Sequence, residues 1–226
     1  ASLGDTIMPG AYTYNPTGLI YGGGGGTWTE VTGLPLALQR MGMGELNGLL
    51  YSVGGGPGSG GARTNVYTFD GNQWGDSIGL PAARTGLSVE NLNGALYAVG
   101  GSSGFGTYYT NVYKFDGVEW TETAGLVAGC YSPSVGRLGG ALYAVGGYNG
   151  VSGAITNVFR FDGTQWTEVA GLPAPRLGSG VRALGGALYA VGGLDGSDRT
   201  NVFRYDGTNW TEVAGLPSIL PGLVSG

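Results

Sequence analysis

The side chains that could carry out chemistry in this chain are few, and the usual proton carrier is missing. The 226 residues include no histidine and a single cysteine, Cys130. Without histidine, Ser-His-Asp and Cys-His nucleophile systems cannot form, and ordinary zinc and copper sites lose their usual ligand. Cys130 has no lysine or histidine beside it in sequence that would favour a thiolate. We therefore interpret it as a small buried hydrophobic residue and not as a nucleophile.

Carboxylates could still serve a glycosidase, which needs two of them facing one sugar. Most of them, however, recur at a fixed spacing along the chain, which is typical of residues that serve the fold. They are Asp70, Asp116, Asp162 and Asp206, each followed by glycine, and Glu30, Glu122, Glu168 and Glu212, each preceded by Trp-Thr. A glycosidase-like enzyme is therefore the weakest alternative, and we predict no catalytic residue.

Metal and cofactor sites are not predicted either. Asp195 and Asp198 stand close together in sequence, but two carboxylates are too few to hold a calcium ion. The Asp-Gly-x-x-Trp motif that begins at Asp116 is similar to the sialidase Asp-box. It lacks one residue between Asp and Gly, and sialidases also need a cluster of arginines at the channel.

The carboxylates keep their spacing because the whole sequence repeats. A Leu-Tyr-x-Val-Gly-Gly segment places tyrosines 46 residues apart, at Tyr51, Tyr97, Tyr143 and Tyr189. Tryptophans follow the same rhythm at Trp28, Trp74, Trp120, Trp166 and Trp210. A period of about 40–50 residues with strand signals is typical of a β-propeller blade.

One repeat contains four strand patterns separated by turn signals. Residues 85–92 end at Asn93-Gly94, a pair that favours a two-residue hairpin. Residues 95–99 are apolar on both faces, as expected of a strand buried between blades. Residues 111–116 and 119–123 are separated by Asp116-Gly117, and together the four predict an antiparallel blade.

We predict one all-β domain over residues 1–226, a five-bladed β-propeller of four-stranded antiparallel blades. The full repeats span about 34–77, 80–123, 126–169 and 172–213. Residues 1–31 and 217–226 carry the remaining strand signals and are predicted to share one blade. Such closure by N- and C-terminal strands would remove exposed sheet edges.

The repeat resembles the kelch motif. The resemblance rests on Gly100-Gly101 after an apolar strand, on Tyr113 and on Trp120, with counterparts in each full repeat. It implies a propeller that binds a partner far more often than it catalyses. Galactose-oxidase-like enzymes share this fold but need histidine copper ligands. Kelch propellers usually have six or seven blades, so five is a departure. It leaves open either a truncated larger ring or a small propeller similar to the tachylectin-type lectins.

Arginines enter the innermost strands at one repeat position, occupied by Arg84 and Arg176, with Arg40 nearby and Cys130 in the third full repeat. One interpretation is a polar ring at the channel mouth. The other is hydrogen bonding between blades, to backbone carbonyls.

Variable loops between the second and third strands break the repeat, and loops on a rigid scaffold commonly bind ligands. Aromatic and polar side chains in these loops predict a ligand-binding face. They are Phe105, Tyr108, Tyr109, Tyr148, Asn149, Asp195, Asp198 and Arg199. The alternative is that these loops pack their own aromatic side chains.

Composition limits the partners. The net charge of −5 disfavours nucleic acid, and no apolar run is long enough for membrane insertion. We predict a non-catalytic, secreted or surface-exposed propeller that presents its loops to a glycan or a protein. The main alternative is a self-associating structural module of a surface layer, filament or virion.

Overall fold

The computed structural model describes the backbone of residues 13–14 and 20–21 and all of residues 29–58, 61–104 and 106–217. The chain divides into two compact units, Ala1–Thr32 and Gly33–Gly226. In the first unit, β1 (Thr13–Tyr14) pairs antiparallel with β2 (Ile20–Tyr21). The four-stranded sheets all lie in the second unit.

The described part of the second unit consists of four antiparallel sheets, each built from four consecutive strands. Blade 1 contains β3 (Gly42–Leu46), β4 (Leu49–Val53), β5 (Val66–Phe69) and β6 (Trp74–Asp76). Blade 2 contains β7 (Ser88–Leu92), β8 (Ala95–Val99), β9 (Val112–Phe115) and β10 (Trp120–Thr123). Blade 3 contains β11 (Ser134–Leu138), β12 (Ala141–Val145), β13 (Val158–Phe161) and β14 (Trp166–Val169). Blade 4 contains β15 (Gly180–Leu184), β16 (Ala187–Val191), β17 (Val202–Tyr205) and β18 (Trp210–Val213). The prediction of an all-β chain of four-stranded antiparallel sheets is confirmed.

The hydrophobic core lies between neighbouring blades. Every residue of β8 and of β12 is buried, because the apolar second strand has a blade on each side. The repeated tyrosine of one blade meets the aromatic ring on the third strand of the next. Tyr51 lies 5.6 Å from Phe115, and Tyr97 lies 5.4 Å from Phe161, between ring centroids. The repeated tyrosine and the repeated third-strand aromatic residue therefore form the same contact between successive blades.

At two of the three contacts between innermost strands, a glycine lies directly against a valine of the next blade. Strand β3 contacts β7, β7 contacts β11, and β11 contacts β15. A Cβ atom on Gly44 would lie 2.7 Å from a methyl group of Val89, and one on Gly136 would lie 2.6 Å from a methyl group of Val181. Any larger residue would push these strands apart.

Trp120 and Trp210 each join their blade to the preceding one through an indole hydrogen bond. The Trp120 ring stacks on Phe115 at 4.9 Å, and its Nε1–H donates to the carbonyl of Ile78 in the preceding repeat at 3.0 Å. Trp210 donates in the same way to Ala170 at 3.0 Å. The ring therefore joins apolar burial within one blade to a hydrogen bond with its neighbour.

The repeated carboxylates belong to the turns and outer strands. Asp116 Oδ1 accepts the backbone N–H groups of Val118 at 2.8 Å and Glu119 at 3.0 Å. These bonds hold the pKa of Asp116 below its usual range, because they favour the charged form. Glu122 accepts from the Asn111 side chain. Both carboxylates are engaged in holding their blade together.

The predicted fifth blade falls on residues 1–31 and 217–226. Apart from the two short strands, residues 29–31 and Pro217, that region lies outside the described residues. The blade count and the closure stay predictions.

Candidate binding face

The two ends of the blades differ in the length of their connections. At one end the first and second strands are joined by two-residue hairpins such as Asn93-Gly94, in which both residues have positive φ, of 53° and 77°. At the other end lie the longer loops 54–65, 100–111, 146–157 and 192–201 and the entries to the innermost strands. We call these ends the turn face and the loop face.

Each blade adds a short antiparallel pairing on the loop face. The pairs, in blade order, are Gln39 with Gly56, Thr85 with Ser102, Tyr131 with Tyr148, and Leu177 with Leu194. The backbone arrangement is the same each time, whereas the side chains change from small or polar to aromatic and then aliphatic. The loop face is therefore chemically asymmetric on a regular scaffold.

Three tyrosines from two blades converge on this face. In blade 3 the Tyr131 N–H donates to the Tyr148 carbonyl at 2.9 Å, and the Tyr148 N–H donates back at 2.8 Å. Tyr108, from the blade 2 loop, meets them edge to face, with ring centroids 5.7 Å from Tyr148 and 6.5 Å from Tyr131. All three residues are half-buried. We call them the tyrosine cluster.

Bare glycine backbone seats two of these rings. A Cβ atom on Gly86 would lie 2.1 Å from the Tyr131 ring, and one on Gly150 would lie 2.2 Å from the Tyr108 ring. Both glycines also have positive φ, at 64° and 79°. Because nothing larger than glycine fits under the rings, the backbone fixes where they stand.

A cavity of about 340 Å³ opens at the tyrosine cluster. Besides the three tyrosines it is lined by Arg40, Thr85, Ser102, Gly104, Gly106 and Leu177. A second cavity of about 580 Å³ shares Arg40, Tyr131 and Leu177 with the first. Asp198 and Arg199 line this second cavity. The structure thus gathers Tyr108 and Tyr148 at one cavity and Asp198 and Arg199 at its neighbour.

Sequence reasoning missed Tyr131 and Leu177. Each comes one residue after the repeat position of Arg84 and Arg176. The equivalent residues in blades 1 and 2 are Gln39 and Thr85. The signal was present, because this position changes from repeat to repeat. Sequence alone did not single out this position because it lies outside the long loops. Only the pairing with Tyr148 brings Tyr131 to the cavity.

Other predicted loop residues make contacts within the protein. The Tyr109 ring lies beneath the Arg84 guanidinium, with 4.7 Å between the ring centroid and Arg84 Cζ. Asn149 Oδ1 accepts the N–H groups of Val151 and Ser152, at 3.0 and 2.9 Å, and closes its own loop. Phe105 lies outside the described residues.

Asp195 is held between two arginines. Its carboxylate lies 2.6 Å from Arg199 Nη2 and 3.6 Å from Arg176 Nη1. The hydrogen bond from Arg199 keeps the pKa of Asp195 below its usual range, with smaller contributions from both positive charges. Asp195 therefore orders its loop by neutralising neighbouring cations.

The three arginines predicted at the channel mouth do not share one environment, and Arg84 fits the other interpretation, hydrogen bonding to backbone carbonyls. Arg84 and Arg176 are buried, at 0% and 2% exposure, whereas Arg40 is exposed. Arg84 Nη1 donates to the carbonyls of Gly100 at 3.1 Å and Asn111 at 3.0 Å. Burial lowers the pKa of Arg84. The side chain turns inward because buried carbonyls need donors.

Cys130 stands at the same repeat position as the two buried arginines. Its Sγ–H donates to the Gly146 carbonyl at 3.2 Å, and burial raises the pKa of the thiol to about 12. At neutral pH it is a protonated core residue.

Two further observations concern the part of the chain that the structure describes. No three histidine, cysteine, aspartate or glutamate side chains lie together there as a metal site requires. The same residues contain no helix long and apolar enough to cross a membrane.

Four-stranded antiparallel blades packed on one another, with their long loops at one end, define a β-propeller repeat protein. The Kelch motif family matches residues 83–122, 129–173 and 175–217, which together cover more than half of the chain. The chain therefore belongs to the kelch repeat family, and the resemblance seen in the sequence is confirmed.

Comparison with solved structures supports the same fold. The chain is similar to the structure of YjhT, with a TM-score of 0.73 and 18% sequence identity. The match covers 84% of this chain and 74% of that chain. At this identity the likeness shows the fold alone. No curated protein matches the chain by sequence.

Proposed function

We propose that this propeller is a non-catalytic binding module that presents its loop face to a protein partner. The kelch fold is suggestive of a protein-binding module in general terms. The observation that carries the more specific proposal is the convergence of Tyr108, Tyr131 and Tyr148 on one cavity. These rings come from two blades and from repeat positions where the other blades have different residues.

The physical properties of the cluster suit an anchor for a partner. Tyrosine offers a large apolar ring and a polar hydroxyl, and it is among the residues that dominate interface energies. Because Gly86 and Gly150 seat the Tyr131 and Tyr108 rings, little side-chain freedom is left to lose on binding. A preorganised aromatic site of this kind favours recognition.

Catalysis is not part of the proposal. The cavity at the tyrosine cluster is lined by tyrosines, small residues, Leu177 and Arg40. None of these is a nucleophile held against a base, which is the arrangement that covalent catalysis requires. The engaged carboxylates and the protonated Cys130 thiol support the same view.

The experiment is selection of binders from a phage-displayed random peptide library on the wild-type protein. The selected pool is then titrated against Tyr131→Ser and against Leu184→Ser. Leu184 is the matched control, because it is an apolar residue of the turn face with 71% exposure. We expect Tyr131→Ser to weaken binding by roughly 2 kcal/mol or more, as for an aromatic anchor, and Leu184→Ser to leave it unchanged. Equal binding by all three proteins would refute the loop-face site.

Three further predictions from the sequence concern the kind of partner, self-association and location. A glycan is the alternative partner, and glycan-array binding that is lost with Tyr131→Ser would favour it over a protein. Self-assembly is the second alternative, and a rise in mass with concentration in light scattering would favour it. Secretion or surface exposure is proposed from composition, and cell fractionation of the native host tests it.

We also propose five blades, closed by the two ends of the chain. The support is the spacing of residues 1–31 and 217–226, which continues the repeat at both ends. Removal of residues 219–226 would leave a sheet edge unpaired, so we expect a lower melting temperature and aggregation. A truncated protein as stable and as monomeric as the full chain would contradict closure.

A further inference from the structure

Arg40 occupies a backbone position that arginine tolerates poorly. The same repeat position is filled by Arg40, Gly86, Ser132 and Gly178, with φ of 57°, 64°, 52° and 65°. This left-handed region suits glycine and strains residues that carry a Cβ. Strain of this kind concentrates at functional sites, so the reason for an arginine here is informative.

The backbone conformation itself is imposed by a belt of hydrogen bonds between blades. The Gly86 N–H donates to the Arg40 carbonyl at 2.8 Å, and the Ser132 N–H donates to the Gly86 carbonyl at 2.7 Å. Along blades 1 to 3, the residues that these bonds join are all in the left-handed conformation, which the belt requires. Glycine would meet the requirement in blade 1 as it does in blade 2. The arginine side chain therefore contributes nothing that the belt needs.

On the side of the tyrosine cluster, the cavity next to Arg40 offers hydrogen-bond donors and no carboxylate. Arg40 is exposed and lines the cavity of the tyrosine cluster, whose described lining residues include no acid. Among the described residues, the Arg40 guanidinium and the three phenol hydroxyls have no hydrogen-bond or ion-pair partner.

The neighbouring cavity is electrostatically different. Asp198 lines it together with Arg199, and the Arg199 guanidinium is already bound to Asp195 at 2.6 Å. An anion would meet the Asp198 carboxylate on that side. The cavity with the tyrosine cluster is therefore the better place for a negative group.

We propose that Arg40 receives a carboxylate that the partner carries next to an aromatic or apolar group, which itself enters the tyrosine cluster. This inference rests on the proposed function and names the chemistry that the loop face recognises. A guanidinium pairs with a carboxylate through two parallel hydrogen bonds, and rings pack edge to face on tyrosine. The 340 Å³ cavity is large enough for one such group.

Small probes test this chemistry on the full chain. Phenylacetate carries a ring and a carboxylate, and phenylacetamide is its uncharged counterpart. Binding of both is measured by saturation-transfer NMR and by titration of the tyrosine signals at millimolar probe. The variants are Arg40→Gly, Arg40→Lys and the matched control Ser132→Gly, which relieves the same backbone strain without removing a cation.

The expected pattern separates binding from stability. Arg40→Gly should weaken phenylacetate binding roughly tenfold or more, the loss expected for a charge-assisted hydrogen bond. Its melting temperature should be unchanged or higher, as for Ser132→Gly, because the strain is relieved. Arg40→Lys should keep part of the affinity. Phenylacetamide should bind the wild type more weakly than phenylacetate does. Its affinity should be the same for the wild type and for every variant.

Several outcomes would overturn the inference. It is wrong if the two probes bind the wild type alike, if neither binds saturably, or if Arg40→Gly binds phenylacetate as the wild type does. Its failure is distinguishable from that of the proposed function. If Tyr131→Ser loses binding of the selected peptides and Arg40→Gly keeps it, the loop-face binding site is retained and only the carboxylate proposal is wrong. If Tyr131→Ser still binds the selected peptides, both the loop-face binding site and the carboxylate proposal are wrong.

Discussion

Arg182 on β15 forms an ion pair with Glu90 on β7, with 2.7 Å between Nη1 and Oε2. The pair joins the innermost strands of blades 4 and 2 and passes by blade 3. The same repeat position is Gly44 in blade 1 and Gly136 in blade 3. Glu90 and Arg182 meet at a cavity of about 570 Å³ near the turn face, which Gly44 also lines.

This ion pair should make a small, salt-dependent contribution to stability. Glu90 is 17% exposed and Arg182 is 76% exposed, so solvent screens much of the attraction. In a double-mutant cycle with Glu90→Gln and Arg182→Ala, we expect a coupling of about 1 kcal/mol or less, reduced by high salt. Urea unfolding measures it. Arg137→Ala is the control, since no ion pair of Arg137 is found among the described residues. A coupling insensitive to salt would contradict this account.

The tryptophans should differ in the cost of losing their indole N–H. Trp120 donates to the Ile78 carbonyl at 3.0 Å, whereas Trp166 Nε1 is buried without a partner among the described residues. Both rings are buried, at 7% and 6% exposure. Trp120→Phe should therefore lower the free energy of unfolding by about 1 kcal/mol more than Trp166→Phe. Equal costs in chemical denaturation would show that the hydrogen bond to the preceding repeat contributes nothing.

Arg84 should be required for stability and not for binding. Arg84→Ala would leave the Gly100 and Asn111 carbonyls without their donor and open a space in the core. We expect a loss of about 3 kcal/mol in the free energy of unfolding. Arg84→Met, which refills most of the volume, should cost less. Exposed Arg63 is the control, and Arg63→Ala should be nearly neutral. A stable Arg84→Ala protein that had lost its peptide ligands would reverse this assignment.

The turn aspartates should make the protein sensitive to acid. Hydrogen bonds from Thr164 and Gln165 lower the pKa of Asp162 to about 2, and similar bonds lower that of Asp116. A lowered folded-state pKa gives stability above the unfolded value, which is about 3.9, and that stability is lost as pH falls toward the folded value. Melting temperature should therefore fall between about pH 4 and pH 2. The double variant Asp116→Asn and Asp162→Asn should fall less steeply, because asparagine does not titrate. Parallel pH profiles would show that these carboxylates are not responsible.

Part of the candidate site was predictable from sequence. Tyr108 and Tyr148 stand in loops that break the repeat, and the structure places both at the cavity. Asn149 and Tyr109 met the same criterion, yet one closes its own loop and the other lies under Arg84. Composition and position alone cannot separate these cases, because the direction of each side chain depends on which distant residue fills the space beside it.

By itself, the sequence determined the strands, the turns and the family. Asn93-Gly94 and Asp116-Gly117 specify turns through local backbone preferences, and the 46-residue rhythm of tyrosine and tryptophan specifies repeated contacts. Only the tertiary structure decided that Arg84 turns inward, that Tyr131 joins Tyr108, and that Arg40 has no ion pair among the described residues while its backbone is strained. The physical reason is that turns and strands follow from neighbours in the chain, whereas these three outcomes depend on packing and hydrogen bonding between blades, whose residues lie far apart in sequence.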